Sequence, residues 1–144
     1  GSDWPIQNGG DFLPAAFSEH YIRSGFYTSR PASKASDRVA WMDSHAAKSL
    51  EVLASVVRAS GAGGSSSLGS LSSLNLTQQL ARAIAAADAA VGVHQHHDGL
   101  TGTDLAFVAL NYANMIANAT ALVAPAAAAT AATLVGLPAT GASG

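Results

Sequence analysis

The chain has 144 residues, 49% hydrophobic and 11% charged, with a formal net charge of −2 and no cysteine. That length and apolar content suit one globular domain with a modest core, and the charge excludes the cationic stripe that nucleic acid would require of a partner. Without cysteine there are no disulfides and no thiolate zinc sites, which leaves His, Asp and Glu to carry chemistry.

Residues 1–30 stand apart from the rest. They hold Trp4, Phe12, Phe17, Tyr21, Phe26 and Tyr27, six of the nine aromatics, while Pro5, Pro14 and the Gly9-Gly10 pair interrupt any helical period. An irregular aromatic-rich segment is predicted here, packed on another surface because it cannot bury its own rings. It reads as the edge of a larger preceding domain. The start lacks the basic and apolar regions of a signal peptide, and Gly1-Ser2 reads as an expression scar.

From Pro31 the pattern turns helical. Ser33 or Ser36 can cap a helix running to about Ser60, with Val39, Met42, Ala46, Leu50, Leu53 and Val57 forming its apolar stripe. Asp37, Arg38, Lys48, Glu51 and Arg58 are assigned to a solvated face. Gly61, Gly63 and Gly64 end the helix, and residues 61–74 form a Gly/Ser-rich connector. A second helix is predicted from about Asn75 or Thr77 to Val93, on a stripe of Leu80, Ile84, Ala87 and Val91. Thr103 can cap a third, carrying Leu105, Val108, Tyr112, Met115, Ala119 and Leu122 and ending at Pro125.

The predicted fold is therefore all-α, a three-helix bundle over residues 31–125 preceded by the irregular segment and followed by an Ala-rich tail at 126–144. Its many small alanines bury little area each, so marginal stability is expected. No run of about 18 apolar residues lacks a polar interruption, and no membrane contact is expected from this segment. Asn75 and Asn118 are glycosylation acceptors by pattern, although Asn118 falls in mid-helix.

Chemistry concentrates in Gly92–Thr103, where three of the five histidines fall. Adjacent helical side chains diverge by about 100°, so His96 and His97 are not expected to share one ion; one faces a cavity while the other packs behind it. His94, His97 and Asp98, at i, i+3 and i+4, offer a self-contained metal site as an alternative. Satisfied core or surface histidines are the third option, and periodicity does not separate the three.

The stretch Gln95-His96-His97-Asp98-Gly99-Leu100-Thr101-Gly102-Thr103 stands beside two further motifs, Gly10-Asp11-Phe12-Leu13-Pro14 and Ser24-Gly25-Phe26-Tyr27-Thr28-Ser29-Arg30-Pro31. Together they resemble, in order, the retaining α-mannosidases of glycoside hydrolase family 38, the lysosomal and Golgi type II enzymes. The resemblance spans roughly Trp4 to Val123 and departs at Ile22-Arg23-Ser24, where the family usually has Trp before the Gly-aromatic pair. It implies that His97 binds a catalytic zinc ion, that Asp98 contacts hydroxyls of a bound mannose, and that His96 supports His97 from behind. A structural role, tying neighbouring carbonyls or carboxylates, is expected for Arg30.

The resemblance also implies that no catalytic carboxylate lies in this chain. The other zinc ligands, the nucleophile and the acid/base would come from an N-terminal α/β catalytic domain, with a β-rich region following. The expected partners are those two regions and α-mannoside glycans of the N-glycan type, and the expected location is the lysosome or the Golgi and secretory route. The turn at Gly99-Leu100-Thr101 looks nearer the Golgi type II form. An excised or processed portion of a mannosidase, inactive alone, is the leading expectation. The alternative is a small non-enzymatic helical module that binds a metal or another protein.

Overall fold

The computed structural model describes residues 16–22, 25–60 and 71–137. A short antiparallel pair, β1 (Ala16–Ser18) and β2 (Tyr21–Ile22), is followed by a single helical turn, α1 (Gly25–Thr28). Three long helices then form the body: α2 (Pro31–Ser60), α3 (Leu71–His94) and α4 (Ala106–Leu134). Each of the three packs on the other two, giving the all-α bundle that the periodicity predicts. Within the segment predicted to be irregular, the described residues contain this hairpin and the α1 turn. Gly10–Pro14 and the connector glycines lie outside the described residues, and Leu71–Leu74, assigned to the connector, are the first turn of α3.

Pro31 opens α2, a position where its missing N–H costs nothing and its fixed φ is already helical. Neither serine caps it: Ser36 Oγ donates to the Ser33 carbonyl, and Ser33 Oγ reaches α3. Thr103 does not cap α4 either. The cap position is Leu105, in extended conformation with no side-chain hydrogen bond. Nor does Pro125 end that helix, which runs nine residues further to Leu134. The proline lies on the exposed side, while Ala126, Ala127 and Thr130 beyond it pack inward and hold the helix together past the lost hydrogen bond.

The core is small-residue packing around a few branched side chains. Leu80, Ile84, Ala87 and Val91 of α3 are all buried, as their spacing predicts, and meet Ile116, Ala119 and Val123 of α4. Helix α2 is rotated from its predicted orientation. Its buried positions are Asp37, Ala40, Ser44, Ala47 and Ala54, whereas Val39, Met42 and Leu53 of the predicted stripe are each more than half exposed. On α4, likewise, Leu122 faces outward and Ile116 and Val123 face inward. By length and composition α4 is also sufficient to cross a membrane, with mean hydropathy 1.4 over its most apolar window, although Asn111, Asn114 and Asn118 interrupt its apolar run. In the bundle it serves as a core helix on its buried side.

The rotation of α2 places polar groups between helices. Buried Ser44 donates to Asp88 Oδ1 at 2.6 Å, and Lys48 Nζ lies 2.9 Å from Asp88 Oδ2. The Ser44 hydroxyl, and next the Lys48 ammonium, hold the Asp88 carboxyl below its ordinary value against the opposing effect of desolvation. Because the folded-state value is the lower one, this stabilisation is present above the unfolded-state value and is lost as pH falls through the folded-state value. Asp88→Asn is therefore expected to cost at most about 1 kcal/mol at neutral pH, given the half-exposed pair. Urea unfolding of both proteins should show the gap closing below about pH 4, near the ordinary aspartate value.

Candidate functional site

Helix α3 ends at His94, so the residues that follow are not constrained to helical spacing. The chain turns back on itself: Gly99 and Leu100 N–H groups donate to the His96 carbonyl, at 2.9 and 3.2 Å. Thr103 and Asp104 N–H groups donate to the Asp98 carbonyl, both at 3.1 Å. Gly99 is buried where this turn crosses the helix end. A Cβ there would lie 2.6 Å from the His94 carbonyl oxygen and 3.1 Å from the Tyr112 ring, which explains the glycine.

A second segment braces the turn. Ser29 Oγ donates to the Thr101 carbonyl, and Gly102, at φ +76°, sits where a Cβ would meet that Ser29 Oγ at 2.7 Å. Lys34 Nζ donates to the Ser29 carbonyl and, at 3.4 Å, to the Thr101 carbonyl. Burial, and then the nearby Arg30 charge, lower the Lys34 pKa. Arg30, at φ +47°, pairs its guanidinium with the Asp104 carboxylate and donates to the Asp104 carbonyl at 2.8 Å. Two of the three sequence motifs, Ser24–Pro31 and Gln95–Thr103, are thus joined at Ser29 and Thr101, and Arg30 extends the tie to Asp104.

On this platform stand the candidate site residues. His97 has 82% of its side chain exposed, and its Nε2 lies 3.4 Å from Asp98 Oδ2. Asp98 Oδ1 accepts the Thr103 hydroxyl at 2.8 Å, and His96 Nδ1 accepts the Asp98 N–H at 3.2 Å. The His96 and His97 rings stack with centroids 4.2 Å apart and an interplanar angle of 36°. The two rings therefore lie against each other rather than diverging as adjacent helical side chains do, since α3 ends at His94. Each of His96, His97 and Asp98 offers one donor atom within 4.8 Å of the others. Two imidazoles and a carboxylate are donors of the kind zinc takes. Beside them lies a depression of about 180 Å³ lined by Phe26, His97, Thr101 and Thr103.

His94 is absent from that group, contrary to the predicted site at i, i+3 and i+4. Its side chain is 1% exposed, with Nδ1 2.9 Å from Asp37 Oδ1 and Nε2 2.8 Å from Ser33 Oγ. Asp37, assigned from sequence to the solvated face, is 6% exposed. The signal that would have found it is the spacing Asp37, Ala40, Ser44, Ala47, a small and polar stripe at helical period.

Fold and site together define an all-α module with a His96–His97–Asp98 turn following its second long helix. The family model of the alpha mannosidase middle domain matches residues 22–134, from β2 to the last residue of α4, and the chain belongs to that family. Among curated proteins, lysosomal alpha-mannosidase of Felis catus is 32% identical over 114 residues, covering 79% of this chain and 10% of the cat protein. Lysosomal alpha-mannosidase of Homo sapiens is 31% identical over the same length, with the same coverage. The chain thus spans about a tenth of the length of the curated relatives it matches. No solved structure gives a significant match.

Proposed function

We propose that this middle domain contributes the His96–Asp98 turn to the active site of a zinc-dependent retaining α-mannosidase that removes terminal α-mannosyl residues from N-glycan-type oligosaccharides. The observation that carries this reading is the contrast within the turn. Its backbone is tied down at Thr101 and Asp104, while the His97 imidazole is 82% exposed beside the depression that Phe26, Thr101 and Thr103 also line. A side chain held out from so firm a base suits a ligand completed by groups elsewhere in the protein.

In this reading His97 holds the zinc, with its remaining ligands in the catalytic domain beyond this chain. The ion, when bound, supplies a Lewis-acidic centre for sugar oxygens. Asp98 keeps Oδ1 on the Thr103 hydroxyl and presents Oδ2 towards a mannose hydroxyl, where an ionised acceptor makes a stronger bond than a neutral one. His96 stacks on His97 and limits its rotation. Hydrolysis with retention needs two carboxyl groups about 5–5.5 Å apart, and these belong to the catalytic domain. The lysosome is the favoured location, following the names of the relatives.

The clustering of His96, His97 and Asp98 favours a second reading, a self-contained metal module that needs no other domain. Calorimetric titration of this chain with zinc separates the two. The mannosidase reading predicts weak binding, because one imidazole from this chain is a minority of the ligand set. A single site of micromolar affinity or better, lost in His96→Ala as well as His97→Ala, would establish the self-contained module instead.

A further inference from the structure

At the junction between α3 and the turn, Asp37, His94 and Ser33 form a continuous chain of hydrogen bonds through the buried His94 ring. The Asp37 carboxylate only accepts, so the proton of the 2.9 Å bond sits on His94 Nδ1. In the neutral ring Nε2 then accepts the Ser33 hydroxyl at 2.8 Å. Aspartate, histidine and serine in this order have the connectivity of a nucleophilic triad, but the His94 imidazole is 1% exposed and lies at the junction of three helices. That burial points to a structural role.

Its location indicates what that is. Ser33 and Asp37 are in the first two turns of α2, His94 is the last residue of α3, and the ring of Tyr112 from α4 meets the His94 ring edge-on with centroids 5.5 Å apart. One imidazole thus joins all three helices at the residue from which the turn departs. The turn then folds back against that same point, with Gly99 closing on the His94 carbonyl and on Tyr112.

We propose that Asp37, His94 and Ser33 are a positioning clamp, which sets where the His97–Asp98 turn stands relative to the bundle and so where its donor atoms are presented. The clamp deepens the metal-site reading and rests on it for its purpose, although its effect on the turn is measurable without metal. A buried imidazole must have hydrogen-bond partners for both ring nitrogens, and those of His94 are met by a pair of side chains one turn apart on α2, Asp37 and Ser33. The pair is tolerated here because it fixes an orientation that an apolar contact, being non-directional, would leave free.

Amide hydrogen exchange of this chain, in the absence of zinc, tests the clamp. The reporters are the N–H groups of Leu100, Thr103 and Asp104, bonded to the His96 and Asp98 carbonyls, with mid-helix amides of α4 around Ala119 as the internal reference. Asp37→Ala is expected to raise the turn exchange relative to that reference by about tenfold or more, the scale of a lost charge-assisted hydrogen bond. Asp37→Asn, whose amide oxygen still accepts from Nδ1, should restore most of it. If Asp37→Ala does not fold, Ser33→Ala, which leaves the Asp37–His94 bond in place, carries the same comparison with a smaller ratio. Turn and reference amides rising together, or a turn unchanged in both variants, would overturn the clamp.

In the intact mannosidase the clamp variants should also release zinc to a chelator about 10–100-fold more readily. Zinc retention that is indifferent to His97→Ala, alongside selective loosening of the turn, would overturn the metal reading and leave the clamp standing.

Discussion

In the intact enzyme, His97→Ala is expected to remove bound zinc and abolish mannoside hydrolysis, with a loss beyond the roughly 10–100-fold typical of residues that merely support a ligand. The reason lies in the local geometry. The His97 ring is 82% exposed and has few contacts to lose within the bundle, so alanine should leave the fold intact while deleting a donor. Asp98→Asn gives the contrast: its side chain still accepts the Thr103 hydroxyl, so zinc should stay while the Michaelis constant for the mannoside rises. Metal analysis and steady-state kinetics on the two variants check this. A His97→Ala enzyme with full zinc content would remove the residue from the ligand set.

The second large effect concerns stability. Leu80 is 0% exposed and belongs to a core cluster in which Ala40, Ala47, Ala83, Ala87, Ala90 and Ala119 outnumber the larger side chains, so little is at hand to refill its volume. Leu80→Ala is expected to cost about 2–5 kcal/mol, a large fraction of the roughly 5–15 kcal/mol available to a domain and more serious in one whose core is mostly alanine. Thermal unfolding should drop by on the order of 10 °C or more. Leu53→Ala should change stability by no more than about 0.5 kcal/mol, because Leu53 is 52% exposed. Equal effects at the two leucines would restore the orientation of α2 that the sequence pattern suggested and contradict the one described above.

That contrast marks where the sequence was legible. Helix α3 could be read because its largest apolar residues are its buried ones, with Leu80, Ile84, Ala87 and Val91 all facing inward. Helix α2 could not, because its large residues Val39, Met42 and Leu53 face outward while the bundle takes Ala40, Ser44, Ala47 and Ala54. Hydrophobic periodicity reports every surface a helix covers, and in a chain about a tenth the length of its relatives the strongest stripe need not be the one its own core uses. The site shows the same division. His96, His97 and Asp98 stood out as residue types, but whether they converge depended on α3 ending at His94. His94, which helical spacing had grouped with His97 and Asp98 in the alternative site, is committed to Asp37 and Ser33. Long-range ties such as Arg30 to Asp104 leave no local signal of their partner, so only their general role could be anticipated.

The most direct test of the account is a crystal structure of the intact enzyme with zinc and a mannoside-like inhibitor. The account predicts an imidazole nitrogen of His97 bonded to the metal at about 2.0–2.1 Å, with Asp98 hydrogen-bonded to a sugar hydroxyl and His94 still enclosed by Asp37 and Ser33. A metal bound without His97, with the turn facing solvent away from the sugar, would contradict it.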